Sequence, residues 1–169
     1  LGAVVYQVGG VAQLEWVLLP LVISGIGIIA SIVTAFSVKG SPEKALTRAS
    51  IIATVVTAVA SYFAVITLVG SNWFGPFVSI LSGLIVGVAL GQTSDYFTSG
   101  SYSPTKRVAN ATQGGPALTI LTGFSMGYYS TFVPIIFIAV AEMVSFLTGG
   151  VYGVAISAVG MLSITGVIV

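Results

Sequence analysis

The sequence predicts an all-α membrane protein: an antiparallel bundle of about five transmembrane helices plus a helix tail, forming part of a larger multi-helix assembly. Three observations carry that expectation. Only nine of 169 residues are charged, five Lys or Arg and four Asp or Glu, whereas a soluble domain carries about a quarter of its residues charged. Hydrophobic residues make up 56% of the chain and the mean hydropathy is +1.12, so polar groups could not cover its surface in water, and lipid must be its solvent over most of its length. Apolar runs close to the ~20 residues that cross a bilayer recur along the chain with short polar joints between them.

Taken in order, residues 1–8 read as the end of a helix begun upstream. The first full span is 16–38, the second 49–69 and the third 74–97. The fourth, 115–147, is long and contains Pro134, which predicts a kink. The last, 152–169, stops inside the apolar run "SITGVIV". Leu1 at the start and that run at the end predict that residues 1–169 are a single membrane-embedded segment of a longer chain.

The joints "GGVAQLE", "KGSPEKALTR", "GSNWFG", residues 91–107 and "TGG" are short, so successive helices run antiparallel. All five cations, Lys39, Lys44, Arg48, Lys106 and Arg107, fall on two joints that an up-and-down path places on one side. The positive-inside rule makes that side cytoplasmic. The opposite side carries Glu15 and no cation.

Within the third span, Gly83, Gly87 and Gly91 recur every four residues, and Gly123 and Gly127 repeat the spacing in the fourth. Small residues at this interval let helix backbones approach and gain dispersion contacts, because lipid supplies no hydrophobic drive between helices. Asp95 is the one acid of the third span and lies near its cytoplasmic end. A solvated helix end is its plain reading, an ion pair with Lys106 or Arg107 the next, and a place in an ion pathway the last. Beyond it, Ser103 followed by Pro104 predicts an N-cap and first helical position, hence a short interfacial helix over 104–112. Gly114 and Gly115 then bend the chain before Pro116.

Glu142 is an intramembrane carboxylate, and so a functional candidate by default. The hydroxyls of Thr119, Thr122, Ser125, Ser130 and Thr131 can bond across helices or to their own carbonyls, and polar contacts between helices are expected in preference to a substrate path. The chain has no His and no Cys, which removes thiolate chemistry, disulfides and the commonest general base. No basic patch is present for nucleic acid. Neither a phosphate-cradling glycine loop nor a carboxylate pair at metal-ligand spacing occurs, so the segment holds no complete active site.

The stretch "TSDYFTSGSYSPTKRVANATQGGPALTILTGFSMGYYSTFVP" resembles the signature region of the membrane-integral, proton- or sodium-translocating inorganic pyrophosphatases. Asp95-Tyr96-Phe97-Thr98 falls where that family has an acid-aromatic-aromatic-Thr element, with Ser94 in place of the usual Thr. Ser103-Pro104-Thr105 stands for its Arg-Pro-Val/Thr, with Ser for Arg, and residues 114–119 correspond loosely to its Gly-x-Ala-Thr stretch. Gly123, Gly127, Ser130, Thr131 and Pro134 match its following helix. The flanking runs "LLPLVISGIGIIASIV" and "VYGVAISAVGMLSITGVIV" are also similar to family helices, in the same order.

The resemblance implies an enzyme, a homodimeric pump that hydrolyses inorganic pyrophosphate and moves protons, with sodium as the alternative ion. It implies Mg2+ held by Asp-rich motifs outside this segment, with ion choice and K+ dependence set by helices also outside it. Chemistry of that kind relies on metal cations to neutralise charge and on carboxylates to position water. The segment itself would be scaffold and cytoplasmic rim, about a quarter of a full member, with Asp95, Tyr96, Thr98, Lys106 and Arg107 as rim residues. A non-enzymatic transporter or channel bundle, or a purely structural membrane subunit, stands beside that reading on the residues alone.

Overall fold

A computed structural model describes residues 14–37 and 42–168 of the chain. The expected tail at residues 1–8 and Lys39 lie outside the described residues. The elements are α1 (Leu14–Ser37), α2 (Pro42–Val69), α3 (Phe74–Thr98), the short α4 (Ser103–Ala111) and the long α5 (Pro116–Ile168). Single 3-10 turns fill Gly70–Asn72 and Thr112–Gly114. All the described regular structure is helical, as an apolar solvent requires, since a helix satisfies its own backbone polar groups.

The expected spans 115–147 and 152–169 form one unbroken run of residues, with a single departure from helical dihedrals at Gly150 (φ 59°, ψ −152°). That left-handed residue turns the chain back. A side chain at Gly153 would run into the carbonyl of Ser145, a contact that a straight helix could not make across eight residues. Two limbs therefore meet at Gly150 in place of a three-residue loop. The Thr148 hydroxyl, bonded to the Val144 carbonyl at 3.0 Å, keeps the first limb helical up to the turn. Pro134 lies inside the first limb, and the dihedrals stay helical through it.

The chain forms two compact units. The first comprises residues up to Val88 and from Val140 onward. Its core contains Leu19 and Ile23 of α1, Val65 of α2, Ile80 and Leu84 of α3, and Ile156 and Ile164 of the second α5 limb. Trp16 meets Tyr152 edge-on, ring centroids 5.1 Å apart, and the Tyr152 hydroxyl donates to the Trp16 carbonyl at 2.6 Å. Eleven residues further along each helix, Gly27 faces Ser163. Equal steps on both partners make α1 and the second α5 limb parallel. By the same test α3 runs parallel to that limb, since Gly83 faces Ser157 and Gly87 faces Met161.

Gly83 shows why glycine is required at this crossing: a Cβ there would overlap the Ser157 backbone carbonyl. Hydroxyls bind α3 to the end of the first α5 limb, with Ser82 and Ser145 2.8 Å apart and Ser79 and Thr148 at 3.5 Å. Between α2 and α3, Gly70 takes φ +66° and reverses the chain. Tyr62 then packs edge-on against Trp73 and Phe77, so the last turns of α2 lie beside the first of α3. These antiparallel and parallel relations are those of an up-and-down path.

The second unit, Ala89–Ala139, contains the last turns of α3, all of α4 and the first part of α5.

Candidate functional site

In the second unit the chain leaves α3 through a tight bend. Ser99 N–H donates to the Asp95 carbonyl at 2.9 Å and Tyr102 N–H to the Ser99 carbonyl at 3.3 Å. The ring of Tyr102 settles 5.2 Å from that of Tyr96, which itself meets Phe97 edge-on at 5.3 Å. The Thr105 hydroxyl donates to the Phe97 carbonyl at 3.2 Å and ties α4 to the end of α3.

This packing moves the cap by one residue. The expected helix over 104–112 with Ser103 as its cap is observed as Ser103–Ala111, with Tyr102 in the capping position and no side-chain cap bond. Held extended (φ −98°, ψ 162°) by its ring contact, Tyr102 offers the carbonyl that receives Lys106 N–H at 3.3 Å. Pro104, now the second helical residue, still forfeits nothing, because that N–H has no partner within a helix.

α4 is amphipathic. Pro104 is buried and Val108 and Ala111 are half-buried, whereas Lys106, Arg107, Ala109 and Asn110 are exposed. Asp95 is half-buried, and no ion pair joins it to Lys106 or Arg107. Tyr96 and Thr98 are exposed, and the Thr98 hydroxyl is bonded to the Ser94 carbonyl of its own helix at 2.7 Å. Of the rim candidates, Tyr96 and Arg107 therefore come together at one hollow of about 250 Å³, while Asp95, Thr98 and Lys106 do not line it. Met126 and Tyr129 of α5 complete its wall.

The glycines of α3 and α5 differ in surroundings. Gly83 and Gly87 lie buried against the second α5 limb, Gly91 is half-buried, and a Cβ at Gly123 or Gly127 would meet no heavy atom within 4 Å. Of the two roles open to them, the hydroxyls of Thr119, Thr122, Ser130 and Thr131 take bonds to carbonyls one turn back, at 2.7–3.1 Å. In lipid a hydroxyl with no neighbour in reach returns to the carbonyl one turn back. Interhelical hydroxyl bonds fall instead to Ser82 and Ser145, which the sequence reading passed over. Their signal was the Ser79, Ser82 spacing on the face that also carries Gly83.

Glu142 is half-buried in α5, and its Oε2 is buried with no hydrogen-bond partner. Among the described residues, no three acids, His or Cys gather into a possible metal site. The described residues therefore do not by themselves fit a magnesium–pyrophosphate centre.

What these observations define is a class: a polytopic membrane protein, whose α1, α2, α3 and α5 are long and apolar enough to cross a bilayer. The family model described as inorganic H+ pyrophosphatase matches residues 1–169, and the chain belongs to that family. A Clostridium tetani protein with the provisional name of a K(+)-stimulated pyrophosphate-energized sodium pump is 38% identical over 181 residues, covering 100% of this chain and 26% of that one. Two similar proteins are named K(+)-insensitive pyrophosphate-energized proton pumps. The one from Caldanaerobacter subterraneus is 33% identical over 99% of this chain and 27% of its own length. The one from Methanosarcina mazei is 36% identical over 90% of this chain and 24% of its own length. The chain thus spans about a quarter of the length of the curated relatives it matches.

Proposed function

We propose that the protein containing this segment is a pyrophosphate-energised proton pump, a membrane-bound inorganic pyrophosphatase that couples hydrolysis to ion translocation. The observation that carries the reading is the family match over all 169 residues. The names of the Caldanaerobacter and Methanosarcina relatives support the proton. The segment serves as scaffold and rim, because its described residues bring no acids together. Mg2+ is bound by other parts of the protein, where cations neutralise the phosphoryl charge and carboxylates position water. The working unit is a homodimer in the bilayer, with the face bearing Lys106 and Arg107 cytoplasmic.

A second reading, sodium as the transported ion, is favoured by the 38% identity to the Clostridium relative. Sealed inverted vesicles holding the full-length protein decide between them. Addition of pyrophosphate with Mg2+ is expected to acidify the lumen, and omission of Mg2+ to abolish both hydrolysis and acidification. Sodium uptake that persists with a protonophore present would establish the sodium reading. Hydrolysis with no ion movement would overturn both.

A further inference from the structure

The hollow at Tyr96 and Arg107 continues into a groove of about 540 Å³ in the same unit, with Phe97 and Met126 shared by both walls. One side of this groove is α3 from Leu90 to Thr98, with Val108 of α4 above it. The other side is α5 from Gly123 to Ile138. By helical rise, the α3 wall is about 12 Å long and the α5 wall about 22 Å. The groove is therefore elongated along the helix direction.

Its chemistry is graded. At the mouth stand the exposed guanidinium of Arg107, with no carboxylate among the described residues paired to it, and the phenols of Tyr96 and Tyr129. Along the walls are Leu90, Val108, Met126 and Ile138, and the hydroxyls of Thr98 and Ser130 are already spent on carbonyls of their own helices. The Ser94 hydroxyl is the further polar group on the α3 wall, and the rest of the lining is apolar or glycine. Gly123 and Gly127 leave the floor open, since neither has a neighbour where a Cβ would stand.

The mouth also lies at the depth of a membrane surface. α3 has 25 residues, about 37 Å of helix, against a hydrocarbon core of about 30 Å, so its last turns reach the headgroup layer. The amphipathic α4 and the tyrosines at its entrance are the residue types found there. Cationic pockets between transmembrane helices are the recognised setting for anionic headgroups.

We propose that this groove binds one anionic glycerophospholipid, with its phosphate on Arg107 and an acyl chain between α3 and α5. The proposal is independent of which ion the protein moves. Charge complementarity favours that occupant, because a lipid phosphate at the mouth pairs with the Arg107 guanidinium.

The test uses the full-length protein, equilibrated in mixed phosphatidylcholine and phosphatidylglycerol vesicles, extracted gently and weighed by native mass spectrometry. Wild type is expected to retain one phosphatidylglycerol per subunit. Arg107→Gln should lower that retention about tenfold, equivalent to about 1.4 kcal/mol, while R107K keeps most of it. Gly127→Leu, which fills the floor, should lower it equally, and Gly123→Leu does the same job one turn away if the first variant misfolds. Lys106→Gln should have the smaller effect, because Lys106 does not line the mouth. Unchanged retention in Arg107→Gln or in the filled variants overturns the proposal. So does displacement of the lipid by inorganic phosphate, which would reveal a free-anion site. A Ser130→Cys thiol that stays closed to a small maleimide in delipidated protein would show that another part of the chain covers the groove, and would equally overturn it.

Discussion

Asp95 is placed where the helix field works against it. It sits in the last turn of α3, the negative end of the helix dipole, half-buried and with no cation among the described residues paired to it. A carboxylate there is worse for stability by about 0.3–1 kcal/mol than a neutral residue. On folding grounds alone Asp95→Ala should leave the protein as stable as before, or slightly more so. If Asp95 serves the rim of a pyrophosphatase, the same change should cut hydrolysis in the full-length enzyme about tenfold, an activation penalty of about 1.4 kcal/mol. Asn110→Ala, on the exposed face of α4, should leave hydrolysis and melting temperature near wild type. Loss of activity at unchanged melting temperature supports a functional carboxylate, and equal, harmless outcomes reduce Asp95 to a solvated helix end. Neither the lack of an ion pair nor the half-burial was legible in the sequence, because the nearby cations are only eleven and twelve residues away and a bend could have brought them together. Tyr102 stacking on Tyr96 directs the bend otherwise.

At the scale of elements, identical patterns in the sequence have different meanings in space. Gly83-x-x-x-Gly87 and Gly123-x-x-x-Gly127 have the same spacing, yet the first pair abuts the second limb of α5 and the second borders open groove. Spacing specifies which residues share a helix face, but not whether another backbone lies against that face. The two pairs should therefore respond oppositely to one methyl group. Gly83→Ala drives a Cβ into the Ser157 carbonyl, which cannot move without separating two helices, and should destabilise by about 1–3 kcal/mol. Gly123→Ala meets nothing and removes a flexible residue from a helix, so it should be neutral or stabilising by up to about 1 kcal/mol. Thermal unfolding of the two detergent-solubilised full-length variants checks the contrast, and a shared sign would contradict the packing described. Helix existence and order were legible throughout, because runs of apolar residues are strong signals in lipid. The joint at Gly150 was less so: "TGG" reads as a loop, whereas one left-handed glycine suffices to reverse the chain.

For the molecule as a whole, the few charges carry the most information. The described acids do not gather in one place, but five cations confined to two joints are enough to predict which way the chain faces. The fold makes that prediction sharp. α1, α3 and the second limb of α5 run in one direction, so Glu15, Trp73 and Tyr152 belong to one end of the first unit and Arg48 to the other. The joint through Gly70–Asn72 and the joint carrying α4 follow opposite ends of the same helix, α3. Asn72 and Asn110 are both exposed, and each marks one of these joints. Cysteines placed singly at the two positions, in a full-length protein with no other reactive thiol, should take up a membrane-impermeant maleimide from opposite sides. Intact cells should label Asn72→Cys and spare Asn110→Cys, and inverted vesicles should do the reverse. Since the segment has no native cysteine, any label within it reports the engineered site. Labelling of Asn110→Cys from outside would place the Lys106–Arg107 face away from the cytoplasm. Pyrophosphate would then have to be hydrolysed on the far side of the membrane, or the acids that bind it would have to lie at the Asn72 end.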